Sequence, residues 1–278
     1  AFIVGLIVGT IVLVRWLKVE ENRARAARWM EARPVFRNLL ATGRRLAPQA
    51  RFLWNRLTPG GLGLELTTAL AVLAVGSYVV IGYAIVTGDN PGPTPGDQTA
   101  ADVAEDLRAD WLTSIAKVVT ALGSSIAVGV VTLITAVWLW VRGHRLELAV
   151  LLFGTLILLI APPIVKEMVD RPRPDGGLVE ASGSSYPSGH ATHAVIYAWI
   201  ALVTALRLRP GMQRASALIA AGLLLAAAIG LTRVYLGVHY MSDVSGGWAL
   251  GASAFALLAM VAIIVSHFRH NESRARSG

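Results

Sequence analysis

Seven apolar runs, at about 1–17, 66–87, 118–141, 146–165, 190–207, 214–231 and 243–267, recur along this chain of 278 residues. Each is long enough, once helix ends are counted, to cross a hydrocarbon core of about 30 Å as an α-helix. A chain that repeats such runs is predicted to be all-α, a multi-spanning membrane helical bundle. Composition points the same way. The chain is 55% hydrophobic with a mean hydropathy of +0.59, too apolar for an ordinary soluble domain. It has no cysteine, which excludes disulfides, thiol nucleophiles and cysteine-held metals.

The net charge of +8 would suit nucleic acid, but its distribution argues for a membrane. Segment 18–61 carries Lys18 and nine arginines against three glutamates. Further arginines follow the third, fifth and last runs, at 142 and 145, at 207, 209 and 214, and at 269, 274 and 276. Segment 88–110 is the reverse, with Asp89, Asp97, Asp102, Glu105, Asp106 and Asp110 against Arg108 alone. The positive-inside rule makes the first group of loops cytoplasmic and the acidic loop external. Seven crossings then put the C-terminus inside, with Trp16, Trp138 and Trp140 at interfacial edges. Segment 18–57 reads either as an amphipathic helix on the anionic inner leaflet or as a solvated linker. Segment 88–100 reads as a Pro/Gly loop, and 101–117 as a short helix along the outer surface.

Against that orientation, Lys166, Arg171, Arg173 and Arg233 are cations at outward-facing helix ends, where charge bias predicts few. Each alone could snorkel to headgroups. Together with their neighbours they form three clusters. The first is PIVKEMVDRPRPDGG, where Lys166 ends a run and the prolines hold Arg173 extended; Lys supplies a point charge and Arg a planar fork for phosphate oxygens. The second is SSYPSGHATHA, with Ser188 near a helix cap and the N–H groups of Gly189 and His190 free to bind an anion. His190 beside that anion is a candidate proton donor to a leaving oxygen, and His193 is expected to pack or line the rim. The third is LTRVYLGVHYMSDVSGG. His239 and Asp243 share a face if 239–243 is a first helical turn, so the carboxylate fixes the tautomer and leaves the other nitrogen nucleophilic. Asp243 could also simply cap the helix. Arg233 leads the segment and could clamp the same phosphate, while Gly246, Gly247 and Gly251 are expected to permit close helix packing.

These clusters resemble the signature of the type 2 phosphatidic acid phosphatase (PAP2) superfamily, with K-x6-R-P, P-S-G-H and S-R-x5-H-x3-D. The chain reads KEMVDRPRP, PSGH and TRVYLGVHYMSD, departing only at Thr232 in place of serine. The similarity covers about 62–267. It implies a six-helix core, no metal or other cofactor, and a phosphohistidine formed on His239, oriented by Asp243. His190 would protonate the leaving group, and Lys166, Arg173, Ser188, Gly189 and Arg233 would hold the phosphoryl oxygens. The stretch 1–17 with RFLWNRLTPGGLGLELTT is similar to the junction of bacterial DedA–PAP2 fusions. With Ala1 opening directly into an apolar run, it suggests a fragment of a longer polypeptide. The domains expected are an N-terminal transmembrane helix at 1–17, a basic cytoplasmic segment at 18–61, a phosphatase domain at 62–267 and a cytoplasmic tail at 268–278.

The expected function is that of a lipid phosphatase of the bacterial cytoplasmic membrane, acting at its outer face. Candidate substrates are undecaprenyl pyrophosphate, phosphatidylglycerol phosphate and phosphatidic acid. The partners are therefore membrane lipids and not nucleic acid, with oligomeric state left open. A lipid phosphotransferase, and a lipid transporter or binding protein using the cationic pocket, are the alternatives.

Overall fold

The computed structural model describes residues 62–277, with side chains from 65 to 266. The predicted helix at 1–17, the basic segment 18–61 and the side chains of the predicted tail lie outside the described residues. What is described is helical: α1 (Leu62–Asp89), α2 (Pro95–Asp106), α3 (Asp110–Ala121), α4 (Ser125–Val141), α5 (Arg145–Val169), α6 (Gly189–Leu208), α7 (Met212–Tyr235) and α8 (Met241–Ser277). The helix α8 continues through residues 268–277.

Helices α1, α5, α6, α7 and α8 are long and apolar enough to cross a bilayer. Helices α3 and α4, bent by 51° at the break between them, are together long and apolar enough for one further, broken span. Three residues separate the pair, and one is Gly123. The hydroxyl of Ser124 then caps α4 by accepting from the Ala127 N–H at 3.2 Å. This corrects the expectation for 101–117. Residues 110–117 begin α3, which pairs with α4 across the bend, and the separate short helix is α2. The Pro/Gly loop is also shorter than expected, because Thr94 and Asp97 form a capping box with Pro95 at the first helical position.

Helix α6 is the centre of the bundle, with half of its apolar window buried against 6% for α1. Its partners are chiefly α7 and α8, and α8 also lies along α1. Small residues set these approaches, since in lipid the association of helices rests on close packing. A Cβ at Gly247 would meet the Ser188 carbonyl oxygen at 2.5 Å, and one at Gly251 the Thr192 carbonyl oxygen at 2.8 Å. One at Gly246 would enter the ring of Tyr186, whose hydroxyl donates to the Val80 carbonyl at 2.7 Å. Deeper in the bundle Val128, Leu139, Leu151, Leu158, Ile196, Trp199 and Phe255 form the main core. Trp199 stacks on Phe255 at 5.2 Å. Outward, Val75, Tyr78, Ile81, Leu133, Phe153 and Leu224 are exposed, as a lipid-facing surface requires.

This topology brings the C-terminal ends of α5 and α7 and the N-terminal ends of α6 and α8 to one side of the bundle. The break between α3 and α4 meets them there, through Thr120 and Gly123.

Candidate active site

The segment from Asp170 to Ser188 leaves α5 with Asp170 in the left-handed conformation (φ 45°) and folds back on itself. The Ser185 N–H donates to the Arg171 carbonyl at 2.7 Å, and the Arg171 N–H to Ser184 Oγ at 3.0 Å. Lys166 Nζ donates to the Ser184 carbonyl, tying the end of α5 to the same turn. The two arginines flanking Pro172 then diverge. Arg173, partly exposed, directs Nε to the Gly183 carbonyl, Nη2 to the Ser182 and Ser184 carbonyls, and Nη1 to the Val238 carbonyl at 2.7 Å. Its remaining Nη1 hydrogen faces His239 Nε2 at 3.1 Å.

That contact determines the tautomer of His239. A guanidinium only donates, so Nε2 must be the ring's acceptor and the hydrogen must sit on Nδ1. Nδ1 in turn faces Asp243 Oδ2 at 3.4 Å. The distance is ion-pair range, but the alignment falls short of a hydrogen bond; we read the pair as held in register and able to tighten when charge develops on the ring. His239 stands before α8 rather than in its first turn, because the helix begins at Met241. Asp243 is the third helical residue, and its Oδ2 accepts the Tyr240 N–H at 2.8 Å. It therefore caps the helix and faces the histidine with the same carboxylate. Burial pushes the imidazole of His239 down to about 4, Asp243 pulling the other way while Arg173 and Arg233 add to the depression. The ring is neutral at ordinary pH, with the Nε2 lone pair outward from the carboxylate.

Ser188 precedes α6 and its hydroxyl caps nothing. Its Oγ and Arg233 Nε are buried without a hydrogen-bond partner. The first helical N–H groups, those of Gly189 and His190, have no acceptor within their own helix. Unsatisfied buried donors of this kind mark a place for an acceptor, and phosphate oxygens supply several. His190 is within electrostatic reach of Arg233, His239 and Lys166, and Lys166 of Arg173, Arg233 and Asp243. Lys166, Arg173, His190, Arg233, His239 and Asp243 are thus linked by hydrogen bonds or electrostatic proximity, and Ser188 and Gly189 lead into the helix that carries His190. His193 lies deeper, its Nδ1 donating to the Gly123 carbonyl at 2.9 Å. The Thr232 hydroxyl turns back to the Ile229 carbonyl at 2.6 Å and not toward the unsatisfied donors.

Three contributors escape a reading by motif. Thr120 accepts from Arg233 Nη1 at 3.1 Å. Gly123 leaves room for His190, whose Cβ and Cδ2 would lie 3.1 Å from an added methyl. Arg171, fully buried, joins Asp243 to Asp97 in α2. A signal for the last did exist: Thr94-Pro95-Gly96-Asp97 is a capping-box sequence that puts an acid at a helix start.

Fold and side-chain cluster define a class: a polytopic membrane protein that gathers histidines, a carboxylate and cations at one end of its helices. Residues 146–264 match the PAP2 superfamily model. Phosphatidylglycerophosphatase B of Bacillus subtilis is 36% identical over 168 residues, covering 58% of this chain and 81% of that one. The decaprenylphosphoryl-5-phosphoribose phosphatase of Mycobacterium tuberculosis is 35% identical over 100 residues, or 34% of this chain and 50% of that one. The crystal structure of a transmembrane PAP2-type phosphatidylglycerolphosphate phosphatase from Bacillus subtilis superposes with a TM-score of 0.55 at 28% identity, covering 65% of this chain and 94% of that one. The chain belongs to the PAP2 superfamily, and it is a membrane lipid phosphatase, a phosphoric ester hydrolase.

Proposed function

We propose that the enzyme cleaves a lipid phosphate through a covalent phosphohistidine on His239. The observation that carries this reading is the pairing of His239 Nε2, held as an acceptor by Arg173, with Asp243 at the opposite nitrogen. Nε2 attacks phosphorus in line with the bond to the lipid oxygen. That bond breaks as His190 delivers a proton to the departing oxygen. Water, losing its proton to His190, then attacks the phosphohistidine and releases inorganic phosphate. Arg233, Ser188 and the N–H groups of Gly189 and His190 receive the phosphoryl oxygens, with Lys166 and Arg173 supplying positive charge. Such preorganised donors are the main contribution a protein makes to phosphoryl transfer.

The substrate is a lipid whose chain stays in the bilayer while its headgroup enters the pocket. Phosphatidylglycerol phosphate, phosphatidic acid and undecaprenyl pyrophosphate all fit this description, and the relatives named above act on the first and on a polyprenyl phosphate ester. The pocket opens on the outer face of the cytoplasmic membrane with the C-terminus inside. Support comes from the acids of 88–110 next to it and from Arg142, Arg145, Arg207 and Arg209 at the other helix ends.

Purified protein assayed against the three lipids should release phosphate from at least one. An alkaline quench should trap phosphate on His239, as read by mass spectrometry. Full turnover by His239→Ala would sink the mechanism, and no turnover on any of the three by folded protein would sink the substrate class.

A further inference from the structure

Arg171 is fully buried and bridges two carboxylates. A guanidinium has five N–H hydrogens, and here each finds an acceptor. Nε donates to the Pro91 carbonyl at 3.2 Å. Nη1 donates to Ser242 Oγ at 2.8 Å and Asp243 Oδ1 at 2.6 Å. Nη2 donates to the Gly92 carbonyl at 2.9 Å and Asp97 Oδ2 at 3.1 Å. Its guanidinium also lies over the Tyr240 ring, 4.1 Å from the centroid. No donor is left for substrate, so its role is exerted through its neighbours.

The carboxylate of Asp97 is equally occupied. Its Oδ1 accepts the Ser242 N–H at 2.7 Å, and its Oδ2 accepts the Ser242 hydroxyl at 2.8 Å and the Thr94 N–H at 2.9 Å. It thereby caps its own helix and satisfies an orphan N–H at the start of α8, the helix that carries Asp243. Burial would raise its carboxyl, but the hydrogen bonds from Ser242, Thr94 and Arg171 outweigh this and hold it below the usual carboxylate range.

We propose that Asp97 and Arg171 are positioning residues for the nucleophile, acting on His239 through Asp243. One positive charge stands between two buried carboxylates. The fork fixes the rotamer of Asp243 so that Oδ2 faces Nδ1. Asp97 draws off part of Arg171's charge, so Asp243 keeps enough negative charge to hold the Nδ1 hydrogen. It also stabilises the positive ring that attack by Nε2 creates. Without Asp97, the guanidinium would neutralise Asp243 at the moment its charge is needed. The inference rests on the role proposed above for His239.

The groups facing His239 are Asp243 on α8, Arg173 before α6, Arg233 on α7 and His190 at the start of α6, with Lys166 at the end of α5 beyond them against His190. None is altered in the test, which uses the full chain in detergent with dioctanoyl phosphatidic acid as probe. Asp97→Asn should lower kcat about tenfold with KM within about twofold, since it weakens stabilisation that appears only in the transition state. Asp97→Glu, which keeps the charge, should recover most of that loss. Arg171→Gln should move the acid limb of kcat/KM upward, because removing a cation eases protonation of His239. A purely architectural role predicts otherwise: lost folded protein, with kcat per folded molecule and the acid limb unmoved, and that result overturns the proposal. Where Asp97→Asn yields no folded protein, Ser242→Ala carries the test. It deletes the hydroxyl between Asp97 and Arg171 with every charge kept, and an unchanged kcat again overturns the proposal. His239→Ala run alongside separates the two levels, since turnover there refutes the nucleophile itself, whatever Asp97 does.

Discussion

Gly123 offers a sharp test of whether the broken span serves the chemistry. A methyl added there would lie 2.6 Å from Ile229 Cγ2 and 3.1 Å from both Cβ and Cδ2 of His190. Carbon atoms in contact prefer about 3.5–4.0 Å, so roughly 1 Å of movement is demanded on the Ile229 side. Ile229 is fully buried and cannot yield outward, so the strain passes to the break or to His190. Overpacking of this kind costs about 1–3 kcal/mol of stability. In the proposed mechanism His190 transfers a proton, and a displacement of about 1 Å in such a group can cost about a hundredfold in rate. Gly123→Ala should therefore lower kcat between about tenfold and a hundredfold, a larger loss than the stability change alone implies. Gly129→Ala on the same span is the control, because nothing lies within 4 Å of its added methyl. That change should be neutral or stabilising by up to about 1 kcal/mol. The assay is phosphate release from a short-chain phosphatidic acid, paired with thermal melting of each variant. Wild-type kcat in Gly123→Ala, or an equal loss in Gly129→Ala, would refute the link between the break and His190.

Three further outcomes follow from the geometry. His239 is held down to about 4 by burial, below an unfolded value near 6.5, so the unfolded chain takes up the proton first as pH falls. Its contribution to stability is whole above about pH 6.5 and is lost as pH falls through the folded value. The acid limb of kcat/KM, corrected for ionisation of the substrate, should lie near pH 4, and a limb in the ordinary histidine range would contradict a neutral buried nucleophile. Thr120→Ala should lower kcat/KM about tenfold, since a hydrogen bond to a charged group contributes about 1.5–3 kcal/mol. Thr120→Ser should restore it, and equal kinetics for both variants would show that Thr120 does not hold Arg233.

Much of the site was legible because it is written in short range. His239 and Asp243 are four positions apart, and Ser188, Gly189 and His190 are consecutive at a helix start. Local order of that kind survives in a linear reading. Arg171 and Arg173 show where such a reading stops. Both precede proline and both follow the same helix, yet one is fully buried between two carboxylates while the other stays partly exposed and touches His239. Their difference depends on Asp97, which is 74 positions from Arg171 and 145 from Ser242.

By itself the sequence determined the all-helical, membrane-spanning class, because apolar runs of bilayer length have few other ways to satisfy their backbone groups. It also determined which histidines, cations and carboxylate would meet, since alternate helix ends must return to the same side. Only the tertiary structure decided that the helices α3 and α4 part around Gly123, where His190 packs. It likewise decided that Asp243 both caps α8 and faces His239, and that Asp97 on α2 shares its arginine. Periodicity reports how each segment meets lipid or core, whereas polar pairing depends on where distant helix ends converge, and that is settled only when the bundle closes.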